Sequence, residues 1–523
     1  MKLDFFMGGT YTQGRSLNVD ASRCVNFFLE LYPQGSKTLG ALIGTPGLKL
    51  FEGVGPGPIR GMHFFNNLIW VVSGSSLYTI SQTGAVSSAL MTFSSSSGRV
   101  WMADNGLSPT GGDQLVIVDS IKLYYYNRLT AAHAEVSSWP SNIGIPQTVI
   151  YLGGYFIVTG NSGSFQVSSL YDASTWNSLD VAAKAVSPDA LISAFNNYGQ
   201  LWLNGSYTTE VWQQTAGTNP PFQWIQGAVM DYGSAAVNSI AKGATTIFWL
   251  ANKRTGDAGE FVGAVMAQGY GVAEITPLAI RYKWQQYQTV SDAFGYCYAD
   301  EGHDFYVITF PTANATWVYD ASTSLWHERS SYSGSPYAVG RHLGDSYVAS
   351  WGKHYVGDYR SQNVYQMSSN FYSDNGDPIV SFRTSTHTFD ERGLNGRIIS
   401  KLQIDAETGV GDLDYANATS YGLPIADGTY YANGFLPDGV SRTLLQFSGS
   451  VNPQAVLSWS DDGGHTWSNE YPASLGPMGK YKTRLIWRRL GYALNGRTYR
   501  IMISDPVKKV LISAYEEAGS GKA

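Results

Sequence analysis

The octapeptide Ser460-Asp461-Asp462-Gly463-Gly464-His465-Thr466-Trp467 is the sharpest local pattern in this 523-residue chain, and it follows the Asp-box form Ser-x-Asp-x-Gly-x-Thr-Trp. An aspartate at the start of a tight hairpin accepts backbone N–H bonds across the turn, a glycine takes the positive-φ position, and the tryptophan caps the hairpin against its sheet. Ser460, Asp462, Gly464, Thr466 and Trp467 are therefore read as a structural turn. Glycoside hydrolysis would instead need two carboxyl groups facing each other at about 5 to 9 Å. Asp405 and Glu407 share a strand face, and Asp300 and Glu301 sit at a turn. Each is read as a solvated acid. His303, His327, His342 and His354 form neither a His-x-x-x-His nor a His-Glu-x-x-His spacing, and Cys-x-x-Cys does not occur, so no metal or other cofactor is expected. Asp374-Asn375-Gly376-Asp377 lacks the ligand spacing of a calcium loop, and Gly519-Ser520-Gly521-Lys522 has no helix after it to bind a phosphate.

The elements that must carry these residues are strands. Charged residues make up only 14% of the chain, aromatics another 14%, and 58 residues are glycine. That balance favours strands and turns over helices, so an all-β protein with many short strands is predicted. A formal net charge of -6 lacks the basic footprint of a free nucleic-acid binder, although a passive conduit for DNA would not need one. Met1-Lys2-Leu3-Asp4-Phe5 has no apolar core, so no secretory signal is expected, and no apolar run approaches the roughly 18 residues of a membrane span. Stable membrane insertion is not expected. Cys24 and Cys297 are read as two buried thiols rather than a disulfide framework.

Residues 59–375 carry a loose repeat of apolar strand, Gly or Asn turn, aromatic strand and polar connection, as in Gly61 to Val72 followed by Leu77 to Ile80. About seven copies at spacings of roughly 40 to 55 residues predict a β-propeller, with six or eight blades left open and a large sandwich meander as the alternative. Residues 376–515 alternate with more charge, as in Ile398 to Asp405 and Tyr499 to Ile503, and read as a β-sandwich. Residues 1–58 read as an arm that packs on this sandwich or on a neighbouring subunit, and 516–523 as a flexible tail.

The Asp-box resembles those of sialidases and other sugar-handling β-proteins, where it stabilises turns away from the catalytic centre. A sialidase-like propeller glycosidase or a carbohydrate-binding module is the alternative function on that ground. A broader resemblance rests on ordered segments at both ends of the chain. Asn26-Phe27-Phe28-Leu29-Glu30, Gly44-Thr45-Pro46-Gly47-Leu48 and Gly57-Pro58-Ile59-Arg60-Gly61-Met62 look like the start of the phage stabilisation family. Gln403-Ile404-Asp405-Ala406-Glu407-Thr408-Gly409 is similar to its middle, and Trp487 to Gly491 with Ser504-Asp505-Pro506-Val507-Lys508 to its end. The resemblance implies a non-enzymatic tail nozzle or hub of a short-tailed bacteriophage, which retains packaged DNA and conducts the genome during ejection. It implies a virion tail component assembled in the bacterial host cytoplasm. It also implies a homohexameric ring whose partners are a head-to-tail adaptor, tail needle, tailspike or fibre proteins, and DNA passing without sequence-specific binding. Asn26, Glu30, Thr45, Pro46, Gly47, Leu48, Arg60, Gly61, Asp405, Gly409, Asp505 and Pro506 are its assembly candidates. Thr45 to Leu48 and Asp505-Pro506 read most simply as rigid turns.

Overall fold

The computed structural model describes residues 2–3, 11, 13–108, 112–217, 219–254, 260–334, 338–388, 396–411, 452–477, 479–494 and 496–520. It is 55% strand and 2% helix. The chain forms two units, one of Leu50–Ser322 with Arg341–Met367, the other of Met1–Lys49, Thr323–Gly340 and Ser368–Ala523.

The first unit is a succession of seven antiparallel sheets. Their first strands are Ile59–Phe65, Trp101–Asp104, Pro146–Leu152, Leu191–Asn197, the pair Gly233–Ser234 and Ala241–Lys242, Phe294–Asp300 and Gly344–Ser350. Consecutive sheets touch in chain order, and Gly344–Ser350 lies against Ile59–Phe65, so the seven sheets close into a ring. This is a seven-bladed β-propeller. The strand Gly47–Gly53 joins the last sheet beside Asn363–Ser368, so a segment preceding the first blade completes the seventh.

Each second strand is buried on both faces because it lies between two neighbouring sheets. Leu68–Ser73, Gln114–Val118, Tyr155–Gly160 and Gln200–Gly205 are almost wholly buried, which is why they read as continuous apolar runs rather than alternating ones. Trp70 packs with Leu115 and Tyr126 between sheets one and two, and Trp202 with Trp249 and Val265 between four and five. Burial stabilises by about 1.5 to 3 kcal/mol for each large apolar side chain. Five first hairpins turn on two residues with positive φ: Asn66-Asn67, Gly153-Gly154, Tyr198-Gly199, Glu301-Gly302 and Trp351-Gly352. This is the twist-matched turn that sets a two-residue hairpin's register.

The second unit is a β-sandwich. One sheet runs Phe27–Leu31, Gly40–Gly44, Val510–Ser520, Arg397–Ala406, Leu485–Ala493, with Lys2–Leu3 also on Val510–Ser520. The facing strands run Leu325–Arg329, Arg23–Val25, Ser381–Thr384, Thr498–Ile503, Gln454–Ser460, Tyr471–Ser474. Phe27, Leu42, Leu402, Leu457, Trp487, Tyr499 and Leu511 form the core between them.

Three boundaries differ from the sequence reading. The described residues up to Lys49 belong to the sandwich unit, whereas 50–58 lie in the propeller unit. Thr323–Gly340, inside the expected propeller stretch, belongs to the sandwich unit through the parallel pairing of Val25 with Glu328. The expected tail from Glu516 is strand as far as Ser520, which pairs with Arg397. Glu516 is buried, accepts a 2.8 Å bond from the Tyr499 hydroxyl and is ion-paired with Arg397, so polar composition here marks a buried network rather than fraying. Gly521 and Lys522 lie outside the described residues.

Candidate functional site

The innermost strands of the propeller begin around an open cavity of about 320 Å³, lined from sheets one, two, five, six and seven. Two side chains at the start of the second sheet, Trp101 in its first strand and Arg99 just before it, brace the cavity. Trp101 Nε1 donates at 2.6 Å to Oδ1 of Asn238, in the connection between two strands of the fifth sheet. Arg99 Nη1 donates to Asp345 of the seventh, at 2.8 Å to its carbonyl and 2.7 Å to Oδ2, while its guanidinium lies 4.0 Å from the Phe294 ring centre of the sixth. Burial lowers the Arg99 pKa and Asp345 opposes the shift. Tyr296 and Tyr347 stack with centroids 5.1 Å apart and planes 11° from parallel, and the Tyr347 hydroxyl meets His354 Nδ1 at 2.8 Å. Burial, then Tyr296, pushes the Tyr347 phenol upward, and burial raises the Cys297 thiol, so neither is an ionised nucleophile at neutral pH.

Arg60 and Gly61 lie beside this cavity for different reasons. Arg60 is 3% exposed and uses its guanidinium as a hub: Nε donates to the Gly98 carbonyl at 2.7 Å, Nη1 to Gly74 and Ser95, and Nη2 to Ser95 Oγ, Ser97 and Asp119. Burial lowers its pKa and Asp119 partly offsets this. The hub ties the first sheet to the connection before the second. Gly61 lines the cavity, and a Cβ there would stand 2.6 Å from the Val100 carbonyl oxygen, so the close strand approach requires glycine.

In the sandwich unit, the expected assembly residues are mostly internal fasteners. Asn26 takes φ 54° and is 1% exposed; its Nδ2 donates to the carbonyls of Ser330 at 2.8 Å and Val380 at 2.9 Å, and its Oδ1 accepts from Ser330 N at 2.9 Å. The Asn26 carbonyl accepts from Thr45 N, and the Pro46 carbonyl from Arg329 Nη2 at 2.8 Å. A Cβ on Gly47 would lie 2.4 Å from the Phe371 carbonyl oxygen, and buried Leu48 pairs with Asp374. Glu30 is half-buried; burial and then its carboxylate push the Tyr32 phenol up.

The Asp-box residues lie at the turn between the paired strands Gln454–Ser460 and Tyr471–Ser474. Asp462 accepts from Thr466 N at 2.9 and 3.0 Å and from Thr466 Oγ1 at 2.6 Å, while Ser460 Oγ donates to Asp462 Oδ1 and accepts from Gly464 N, both at 2.7 Å. The Thr466 bonds hold the Asp462 carboxyl well below the usual carboxylate range. Gly464 has φ 96°, and Trp467 lies under the Arg500 guanidinium, 3.5 Å from the ring centre. The neighbouring Asp461 makes a bidentate pair with buried Arg497 at 2.6 and 2.8 Å.

Asp405 and Glu407 take separate lysines, Lys37 at 3.1 Å and Lys508 at 3.0 Å. Burial raises the Asp405 carboxyl, but the bond and charge of Lys37 together with the bonds from Gln403 and Ser513 outweigh it and leave it below its ordinary value. Gly409 has φ 78° and accepts from Gly479 N. Asp505 accepts from Gln454 N at 2.6 Å, its carbonyl takes the Val507 N–H across Pro506, and burial raises its carboxyl. Sequence reasoning missed the buried cations Arg329, Arg383, Arg497 and Lys509. Arg383 lies in Ser381–Thr384, all four residues of which are buried, so no in-and-out alternation marked it in the sequence. Among the described residues, no group of three or more His, Cys, Asp or Glu side chains is placed to hold a metal ion, and no helix is long and apolar enough to cross a membrane.

A family model described as the β-propeller of bacteriophage P22 Gp10 matches residues 5–372, and one described as the β-sandwich of the same protein matches residues 440–517. No curated protein matches the chain in sequence. Solved structures similar to it include the N-terminal domain of Nup159 (11% identity, 66% of this chain and 99% of that one, TM-score 0.36). The WD40 β-propeller domain of Doa1 (11%, 61% and 96%, 0.37) and BamB from Moraxella catarrhalis (9%, 65% and 94%, 0.36) are others.

Proposed function

From the fact that the chain belongs to the bacteriophage P22 Gp10 family of structural tail proteins, we propose that it forms the tail nozzle of a short-tailed phage, retaining packaged DNA and conducting it during ejection. The family match over residues 5–372 carries this reading. The braced propeller axis gives it a geometric condition. A cavity of about 320 Å³ crossed by the Trp101 and Arg99 contacts has the volume of a small molecule, so the DNA path runs between copies of the chain and not along the axis of one propeller.

A homohexameric ring supplies such a path. A chain with only 14% charged residues and a net charge of -6 suits extensive subunit burial and a wall that does not grip DNA. The head-to-tail adaptor, needle and tailspike or fibre proteins are the proposed partners, the virion tail the proposed location, and the role is non-enzymatic. Native mass spectrometry with the adaptor present, and electron microscopy of particles, should show a six-fold collar. A chain that stays monomeric with its adaptor, or particles lacking it that keep their DNA, would overturn the reading.

A further inference from the structure

We propose that the axial cavity of the propeller binds a carboxylated monosaccharide, such as a uronic acid. Its volume of about 320 Å³ lies at the small end of the range for organic ligands, enough for one sugar ring and its substituents. Its walls combine three aromatic residues, Trp101, Tyr296 and Tyr347, with the amide of Asn238 and the cations Arg99 and Lys242. No carboxylate is among the described residues that line it.

The charges divide into a structural and an available set. Asp345 neutralises Arg99, whereas exposed Lys242 makes no ion pair among the described residues. The cavity thus carries one uncompensated ammonium beside aromatic walls. Asn238 spends Oδ1 on Trp101 and keeps its Nδ2 hydrogens as donors for a hydroxyl. Aromatic faces accept the apolar C–H face of a sugar ring, the amide orients a hydroxyl, and a charge-assisted bond from Lys242 selects a carboxylate over a neutral substituent. The parts come from different sheets, Trp101 from the second, Lys242 from the fifth, Asn238 from the connection between two strands of the fifth, Tyr296 from the sixth and Tyr347 from the seventh, so ring closure pre-organises them.

Titration calorimetry and saturation-transfer NMR of the full chain with glucuronate, glucose and inorganic phosphate test this. Glucuronate should bind, glucose should bind at least about tenfold more weakly, and Lys242→Glu should weaken glucuronate by a similar factor while thermal unfolding stays unchanged. Asn238→Ala, a second variant, should weaken glucuronate and glucose alike and keep the preference for glucuronate, because the amide meets a hydroxyl that both sugars carry and Lys242 is unchanged; a lost preference would contradict this division of roles. Phosphate binding as tightly as glucuronate would mean a bare anion site, and equal binding of glucose would remove the role of Lys242. Silence with all three, or an unchanged Lys242→Glu affinity, would equally overturn the proposal. None of these outcomes depends on the nozzle assignment, which the symmetry of the assembly decides.

Discussion

Trp101 and Asn238 are joined by a 2.6 Å hydrogen bond across the axis of a seven-sheet ring, although 137 residues separate them in the chain. Removing the donor while keeping an aromatic ring isolates this brace. Trp101→Phe should lower stability by about 1 to 2 kcal/mol in urea unfolding, with Asn238 Oδ1 left without its donor. An unchanged midpoint would mean that the bond contributes nothing to closing the axis.

Arg60 presents a larger effect, because all the donors of this buried side chain are spent on five carbonyls and one hydroxyl. Arg60→Met should cost about 3 to 5 kcal/mol, and Arg60→Lys should recover little of it, since an ammonium cannot reproduce the planar fork. Full rescue by lysine in the same unfolding assay would show that charge, rather than geometry, matters there.

Asn26 combines a left-handed backbone with three side-chain hydrogen bonds. Asn26→Gly loses only the bonds, whereas Asn26→Ala loses the bonds and adds about 1 kcal/mol or more of backbone strain. Thermal melts should therefore rank wild type above glycine and glycine above alanine, and the reverse order for the two variants contradicts the assignment.

Lys509 and Asp374 make the sandwich unit pH-sensitive. Both are buried; Lys509 Nζ donates to the Ile379 carbonyl and to Ser381 Oγ, and Ser331 Oγ donates to Asp374 at 3.1 Å. Asp505, Asp377 and Arg329 complete the charges that act on the two. Burial pushes Asp374 from 3.8 to about 6, so its contribution is present at low pH and is lost as pH rises from 3.8 through 6. Burial pulls Lys509 from 10.5 to about 7, so the folded form sheds its proton first and stability rises from pH 7 toward 10.5. Unfolding midpoints should pass through a shallow minimum between pH 6 and 7, and Lys509→Met should abolish the rise above it. A rise that persists in Lys509→Met would assign it to other groups.

Asp462 behaves in the opposite sense. Its carboxyl is held below 3.8 by Thr466, so the stabilisation is complete above that value and lost only in strong acid. Asp462→Ala should lower the melting temperature at pH 7 and leave the axial cavity's ligand binding intact. Unchanged stability together with a lost sugar response would reverse the structural reading of the box.

Much of the fold was legible in the chain because it depends on local rules. Ile69 to Val72, Leu115 to Val118 and Ile247 to Leu250 read as apolar strands, and their recurrence at roughly 40 to 55 residues pointed to a propeller of about seven blades, with six or eight left open. The Asp-box was equally legible, since every bond in it joins residues no more than four apart. Gly47 and Gly61 stood out as motif residues, but the backbones they make room for, at Phe371 and Val100, were not visible in their own segments.

What the sequence by itself determined was therefore the class of each segment: strand, turn, propeller stretch, sandwich stretch. Only the tertiary structure decided the roles of the side chains. Arg99 meets Asp345 across 246 residues, Asn26 reaches Ser330 across 304, and Glu516 belongs to a buried network instead of a frayed end. Strand and turn preferences are set by neighbours within a few residues. The partner of a buried polar group is set by which distant strands the closed ring and the paired sheets bring within hydrogen-bonding distance.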